Sequence, residues 1–250
     1  MPNTIVFIII GFFFLAISCG KDDNGSNQPP PNPVDAPISG TVILYDESVG
    51  EVDKSGMTVT VDSTSPPQKA VTGTDGNFFI PYIGFGNKIL IFEKAGYGTF
   101  KLINVAHSYN NGSGTVITPA PALGKISTTT ITVLNTSVSA GSVAITVMTS
   151  PAGTSNVPKY VRLFLHSRAG VSNVLYLKAL DILVANTNPL EKVLTKAELN
   201  ALGFASGTTV YVRAYGESFH SNNYDDPVTA RMVYPNLNLT TVAAASFIVP

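Results

Sequence analysis

The chain has 250 residues, 44% of them apolar and 12% charged, with a formal net charge of −1. That apolar share supports a packed core and excludes a disordered chain, while the near-zero charge removes any electrostatic basis for nucleic-acid binding. A single Cys excludes an internal disulfide and a Cys-built zinc site, and 21 Gly with 17 Pro point to many turns.

Residues 5–18 read IVFIIIGFFFLAIS, broken only by Gly11. As a helix this run would rise ~21 Å, short of the ~30 Å hydrocarbon core, so residues 1–18 read as an export signal and not a permanent span. Only the Met1 amine supplies positive charge ahead of it. The run ends at Leu15-Ala16-Ile17-Ser18-Cys19-Gly20, which resembles the bacterial lipobox. The resemblance implies that the Cys19 thiol carries diacylglycerol, that cleavage leaves Cys19 as the first residue, and that the membrane is a partner through that lipid. The competing reading of Cys19 is a buried structural thiol. Two or more acyl chains hold a protein stably, at about 0.8 kcal/mol per buried methylene. Lys21-Asp22-Asp23 then resembles the surface-export signal of Bacteroidota lipoproteins; a solvated charge cluster is the alternative. Residues 19–36 read as the lipidated Cys and its tether, in which Pro29-Pro30-Pro31 favours polyproline II. The expected address is the outer membrane, at the cell surface or on its periplasmic face.

Residues 37–123 read as a first β unit. Ile38–Tyr45 is strand-like, and Met57–Asp62 alternates with period two. Gln68–Gly73 and Asn77–Pro81 flank Thr74-Asp75-Gly76, a hairpin turn signal. Lys88–Lys94, Thr99–Val105 and Thr115–Leu123 complete the set, with a loop at Tyr82–Asn87. Gly40-Thr41-Val42, the run Ala70–Ile80 and Phe92–Tyr97 occur in the order of the carboxypeptidase regulatory-like family, which this region resembles. The resemblance implies a transthyretin-like β-sandwich acting as a non-catalytic accessory, in a fold group described in part as carbohydrate-binding-like.

Residues 124–250 read as a second β unit. Ile126–Leu134, Ser142–Met148 and Tyr160–Leu165 are strand candidates; Val174–Val184 fits a strand or a helix by its period and is read as a strand from its neighbours. Thr195 followed by Glu198 is a capping box, so one short helix is expected before Gly203. Phe204–Tyr215 resembles the sixth strand of fibronectin type III modules, with Val210 where the corner tyrosine would stand. Alternation directs Tyr211, Arg213 and Tyr215 outward, opposite Val210, Val212 and Ala214. Ser246–Val249 closes the set, leaving a long loop over 217–239 with a short hairpin around Val228–Val233. The expected fold is therefore all-β, two tandem sandwiches behind a lipoprotein signal peptide: transthyretin-like, then fibronectin III/immunoglobulin-like.

The chemistry is sparse. His107, His166 and His220 form no HxxH or HExxH spacing, and no phosphate loop or G-x-S-x-G elbow occurs. No catalytic residue, metal or cofactor is expected. The richest run is Glu217–Asp226, in which Phe219, His220, Asn222, Asn223, Tyr224, Asp225 and Asp226 combine rings, amides and carboxylates. A sugar or a hard cation could use that set, and a polar loop tucked on the sandwich is the alternative. Tyr109-Asn110-Asn111 is a second, poorer candidate. Asp62-Ser63-Thr64 resembles the short O-glycosylation motif of exported Bacteroidota proteins, which points to Ser63. The function expected is binding, adhesion or spacing without catalysis, toward a glycan or an envelope or host protein. A carbohydrate-binding accessory of a glycan-uptake system is the alternative, and a small hydrolase a third.

Overall fold

The computed structural model describes residues 33–62, 64–109 and 113–250. The export signal, Cys19, Lys21-Asp22-Asp23, Ser63 and Asn110-Asn111 lie outside these residues. Among the described residues no helix is long and apolar enough to cross a membrane. Residues 33–250 form one compact unit.

The fold is all-β. β1 (Asp35–Thr41) and β2 (Ile43–Tyr45) are one extended run interrupted at Val42. They are followed by β3 (Thr58–Val61), β4 (Gln68–Val71), β5 (Asn77–Gly84), β6 (Gly86–Glu93), β7 (Phe100–His107), β8 (Thr115–Ile117) and β9 (Ala122–Gly124). One layer is β5-β1-β8 with the β2-β9 pair, and the other is β4-β3-β6-β7. Alternating residues of both layers, among them Ile38, Leu44, Val59, Val61, Ile80, Leu90 and Phe92, bury their side chains between them.

Two local expectations change here. The Asp75-Gly76 turn joins β4 to β5, but these strands pair with β3 and β1 respectively. The turn is a corner between layers and not a hairpin. Gly76 sits at φ +80, its carbonyl accepts the Val42 N–H at 3.0 Å, and a Cβ there would lie 2.4 Å from the Val42 oxygen. Close contact with β1 thus turns the chain across the sandwich. The loop expected at Tyr82–Asn87 also shrinks to Phe85, because β5 extends past Pro81 through a bulge. Ile38 pairs with Ile80 but Ala36 with Ile83, so Pro81 and Tyr82 share the space opposite Pro37.

The second set of strands is β10 (Thr130–Ser139), β11 (Ser142–Ser150), β12 (Lys159–His166), β13 (Lys178–Ala179), β14 (Leu183–Ala185) and β15 (Leu190–Thr195). The helix α1 (Lys196–Ala201), β16 (Thr209–Glu217), β17 (Tyr224–Asp226), β18 (Arg231–Val233) and β19 (Ala245–Ile248) complete it. The β10-β11-β15 layer faces a layer in which β12 and β16 are central and β19 forms one edge. Val143, Ile145, Val161, Leu163, Val210, Val212 and Phe247 fill the space between. The helix keeps its capping box: Thr195 accepts the Glu198 N–H, and the Glu198 carboxylate accepts the Thr195 N–H.

The strand expected over Val174–Val184 is present only in pieces. β13 and β14 both pair with β12, and they are separated where the Leu180 carbonyl turns to accept Arg162 Nη1 at 2.7 Å. Tyr215, expected to face solvent, is instead buried, and Tyr211 and Arg213 are half-buried. Their face of the sheet carries its own core, in which Phe164 packs edge-on against Tyr176, Tyr215 and Tyr234 at 5.0, 5.6 and 5.3 Å. The cover comes from the segments around Val171–Ala179 and Tyr234–Leu237, so the long excursion after β16 folds back as a third layer. Its hairpin is β17-β18, as Val228–Val233 suggested.

Candidate functional site

The run from Glu217 to Asp226 divides into two groups with different surroundings. The first group sits at the seam with the N-terminal strands. The Phe219 N–H donates to the Glu47 carbonyl at 3.0 Å, and Ser218 Oγ to the Lys125 carbonyl at 2.5 Å. His220 stacks on Tyr45 with ring centroids 3.8 Å apart, and burial lowers its pKa. Phe219 keeps an exposed face beside Tyr160.

Asn222 is 5% exposed and sits at φ +52, a conformation Asn tolerates. Its Oδ1 accepts the Gly124 N–H at 2.8 Å, and its Nδ2 donates to the Gly124 carbonyl at 3.0 Å and to Asn236 Oδ1 at 3.1 Å. Asn236 donates in turn to the Gly124 and His220 carbonyls and accepts the Gly98 N–H. The two amides act as a short piece of strand, pairing with backbone at Gly98 and Gly124. Both glycines are required by the approach: a Cβ on Gly98 would lie 2.4 Å from the Pro235 oxygen, and one on Gly124 2.6 Å from the His220 oxygen. His220 and Asn222 thus hold the seam, while Phe219 flanks it.

Glu217 is 1% exposed and pairs with Arg162, whose guanidinium lies 4.4 Å from the Tyr234 ring centroid. Among the described residues the other Glu217 carboxylate oxygen has no hydrogen-bonding partner. Burial raises the Glu217 pKa to about 7 against the opposing pull of Arg162. Because the folded form holds the proton more tightly than an ordinary Glu, its contribution is full below pH ~4.5 and is lost as pH climbs through ~7. At about 1.4 kcal/mol per pH unit this amounts to about 3 kcal/mol. Denaturant titrations from pH 4.5 to 8 should show that decline, and Glu217→Gln should flatten it.

The second group opens to solvent. Asn223, Tyr224, Asp225 and Asp226 line a groove of about 610 Å³ with Phe100, Lys101 and Asn104 of β7. The Tyr224 ring stands edge-on to Phe100 at 6.4 Å, and Lys101 Nζ lies 6.0 Å from its centroid. Asp226 turns the hairpin by accepting the Val228 N–H and the Thr229 hydroxyl, and these bonds hold its pKa below the usual carboxylate range. Asn223 and Asp225 are exposed. Nothing local marks Phe100, Lys101 and Asn104 as part of this groove, because the approach of β17 to β7 is purely tertiary.

The other two histidines lie elsewhere. His107 Nδ1 pairs with Thr115 Oγ1 at 2.8 Å and its Nε2 with the Ile83 carbonyl at 2.9 Å. His166 Nδ1 accepts the Arg168 N–H. Among the described residues no three His, Cys, Asp or Glu side chains gather as a metal site.

No protein-family model matches the chain, and no curated protein matches it. Several solved structures overlap it loosely. One is a candidate carbohydrate-binding protein of Bacteroides uniformis, 14% identical, covering 86% of this chain and 100% of its own, with a TM-score of 0.32. A DUF3823 family protein of Parabacteroides merdae is 12% identical over 75% of this chain and 93% of its own, at 0.28. Another from Bacteroides ovatus is 11% identical over 85% and 98%, at 0.27. Overlaps this loose carry no argument about family or ligand.

Proposed function

We propose that the protein is a non-catalytic lipoprotein of the cell envelope, anchored through Cys19 and displayed outward by Lys21-Asp22-Asp23. Its folded part captures a glycan in the groove between β7 and the β17-β18 hairpin. In this reading residues 37–123 serve as a carboxypeptidase regulatory-like module, 124–250 as a fibronectin III-like one, and Ser63 as a glycan acceptor. One observation supports the capture role above the rest: Tyr224, Asn223, Asn104, Lys101 and Asp225 converge on one open groove from two separate parts of the chain. Ring faces hold the apolar side of a sugar, while amides and charged tips take its hydroxyls.

The full chain applied to arrayed soluble oligosaccharides should bind a subset, and Tyr224→Ala should weaken that binding at least tenfold, about 1.4 kcal/mol. Unchanged binding would remove the groove from the account. The anchor is tested apart: labelled palmitate should enter the wild-type chain and not Cys19→Ala.

A further inference from the structure

We propose that the outer face of the β5-β1-β8 layer is a second binding platform, for a neutral polysaccharide, with Phe79, Tyr82 and Tyr109 as its stacking rings. The three rings are 59%, 78% and 47% exposed, and together they line one shallow depression of about 320 Å³. It shares no residue with the Tyr224 groove.

The β5 bulge makes this arrangement. Along β5, Phe78 and Ile80 point into the core and Phe79 points out, so strict alternation would send Tyr82 inward. The extra residue opposite Pro37 reverses the order: Tyr82 turns out at φ +56 and Ile83 takes the core position. That φ is unfavourable for a tyrosine, and a bulge that re-aims one side chain is a device common at binding surfaces. Tyr109 is positioned independently, by Phe85 at a centroid distance of 6.3 Å.

Charge and texture select the ligand. Among the described residues Asp35 is the sole charged one lining the depression, so these offer an acidic polymer no cation and a basic one little to meet. Short polar groups share the face with the rings. Phe79, Ser39 and Val116 form one cross-strand row, and Thr41 with Asn77 the neighbouring one, joined by a 2.6 Å hydrogen bond. A chain of neutral pyranoses carries flat C–H faces edged by hydroxyls, and this face repeats that alternation. Phe79 lies opposite Ser39 and Tyr82 shares the space opposite Pro37, so the two ring positions are about 7 Å apart along the strand direction.

The test uses the full chain carrying Tyr224→Ala, so that the groove cannot contribute. Suspensions of microcrystalline cellulose, xylan and mannan are the probes, with immobilised poly-L-proline as the competing one. The Tyr224→Ala chain should sediment with at least one polysaccharide. Adding Phe79→Ala or Tyr82→Gly should reduce its retention at least tenfold. Glycine accepts the left-handed φ, so the thermal midpoint of Tyr82→Gly should equal or exceed that of its parent, which separates loss of the ring from loss of the fold. Absence of retention on all three polysaccharides overturns the proposal, as does retention indifferent to both added substitutions. Capture by poly-L-proline alone overturns the ligand class, since ring-lined grooves also take proline-rich peptides.

Discussion

Arg162→Met should destabilise the protein by about 3–5 kcal/mol at pH 8, the range for breaking a buried pair. Arg162 does three things at once. It pairs with Glu217, donates to the Leu180 carbonyl where β13 gives way to β14, and covers the Tyr234 ring. Methionine fills most of the volume but leaves the Glu217 carboxyl buried without its cation. The loss should shrink by about 1 kcal/mol toward pH 5, because there Glu217 is protonated with or without Arg162 and the charged pair no longer favours the wild type. The double variant Arg162→Met, Glu217→Leu should regain much of the stability at pH 8, since replacing a whole buried pair with apolar groups is often neutral. Chemical denaturation of the three chains at pH 5 and 8 measures all of this. A single-variant loss below ~1 kcal/mol at pH 8 would show that water reaches the pair.

Asn222→Ala should cost about 3 kcal/mol in lost and orphaned hydrogen bonds, because Gly124 N–H and Asn236 Oδ1 would remain buried without this partner. Left-handed backbone adds roughly 1–2 kcal/mol for alanine, a penalty that Asn222→Gly avoids. The difference between the two variants therefore isolates the backbone share. For a chain of this size the alanine variant should melt roughly 10 °C lower. Asn222→Asp is the sharper probe: a carboxylate can still accept from Gly124 but cannot donate to its carbonyl. If Asn222→Ala melts within ~2 °C of the wild type, the seam is held by other contacts.

Local rules carried much of the fold. The Thr195–Glu198 box ends where its hydrogen bonds say it should, and Val59 and Val61 alternate inward as their spacing requires. Elements failed where distant chain decides. Tyr215 obeys its alternation yet is buried, because Leu237 and Tyr234 return to cover that face. The Val174–Val184 run is apolar enough for a strand, but only Lys178–Ala179 and Leu183–Ala185 pair with β12, and between them the Leu180 carbonyl bonds Arg162. Within the candidate loop, composition identified a polar and aromatic cluster. It could not sort Asn222, which fastens the seam, from Tyr224 two residues later, which opens onto a groove. The sort depends on Gly98, Gly124 and Phe100, all about a hundred residues upstream. Phe79 falls in the strand read over Asn77–Pro81, whereas Tyr82 reads as loop, since no periodicity announces the bulge.

The paired amides have a thermodynamic consequence. Severing the chain after Gly124 would strip one fragment of the partners for its Gly98 and Gly124 backbone groups and leave the other with two amides facing water. Each half thus borrows part of its stability from its neighbour. Heating the intact protein should then give a single cooperative endotherm, with calorimetric and van't Hoff enthalpies in agreement.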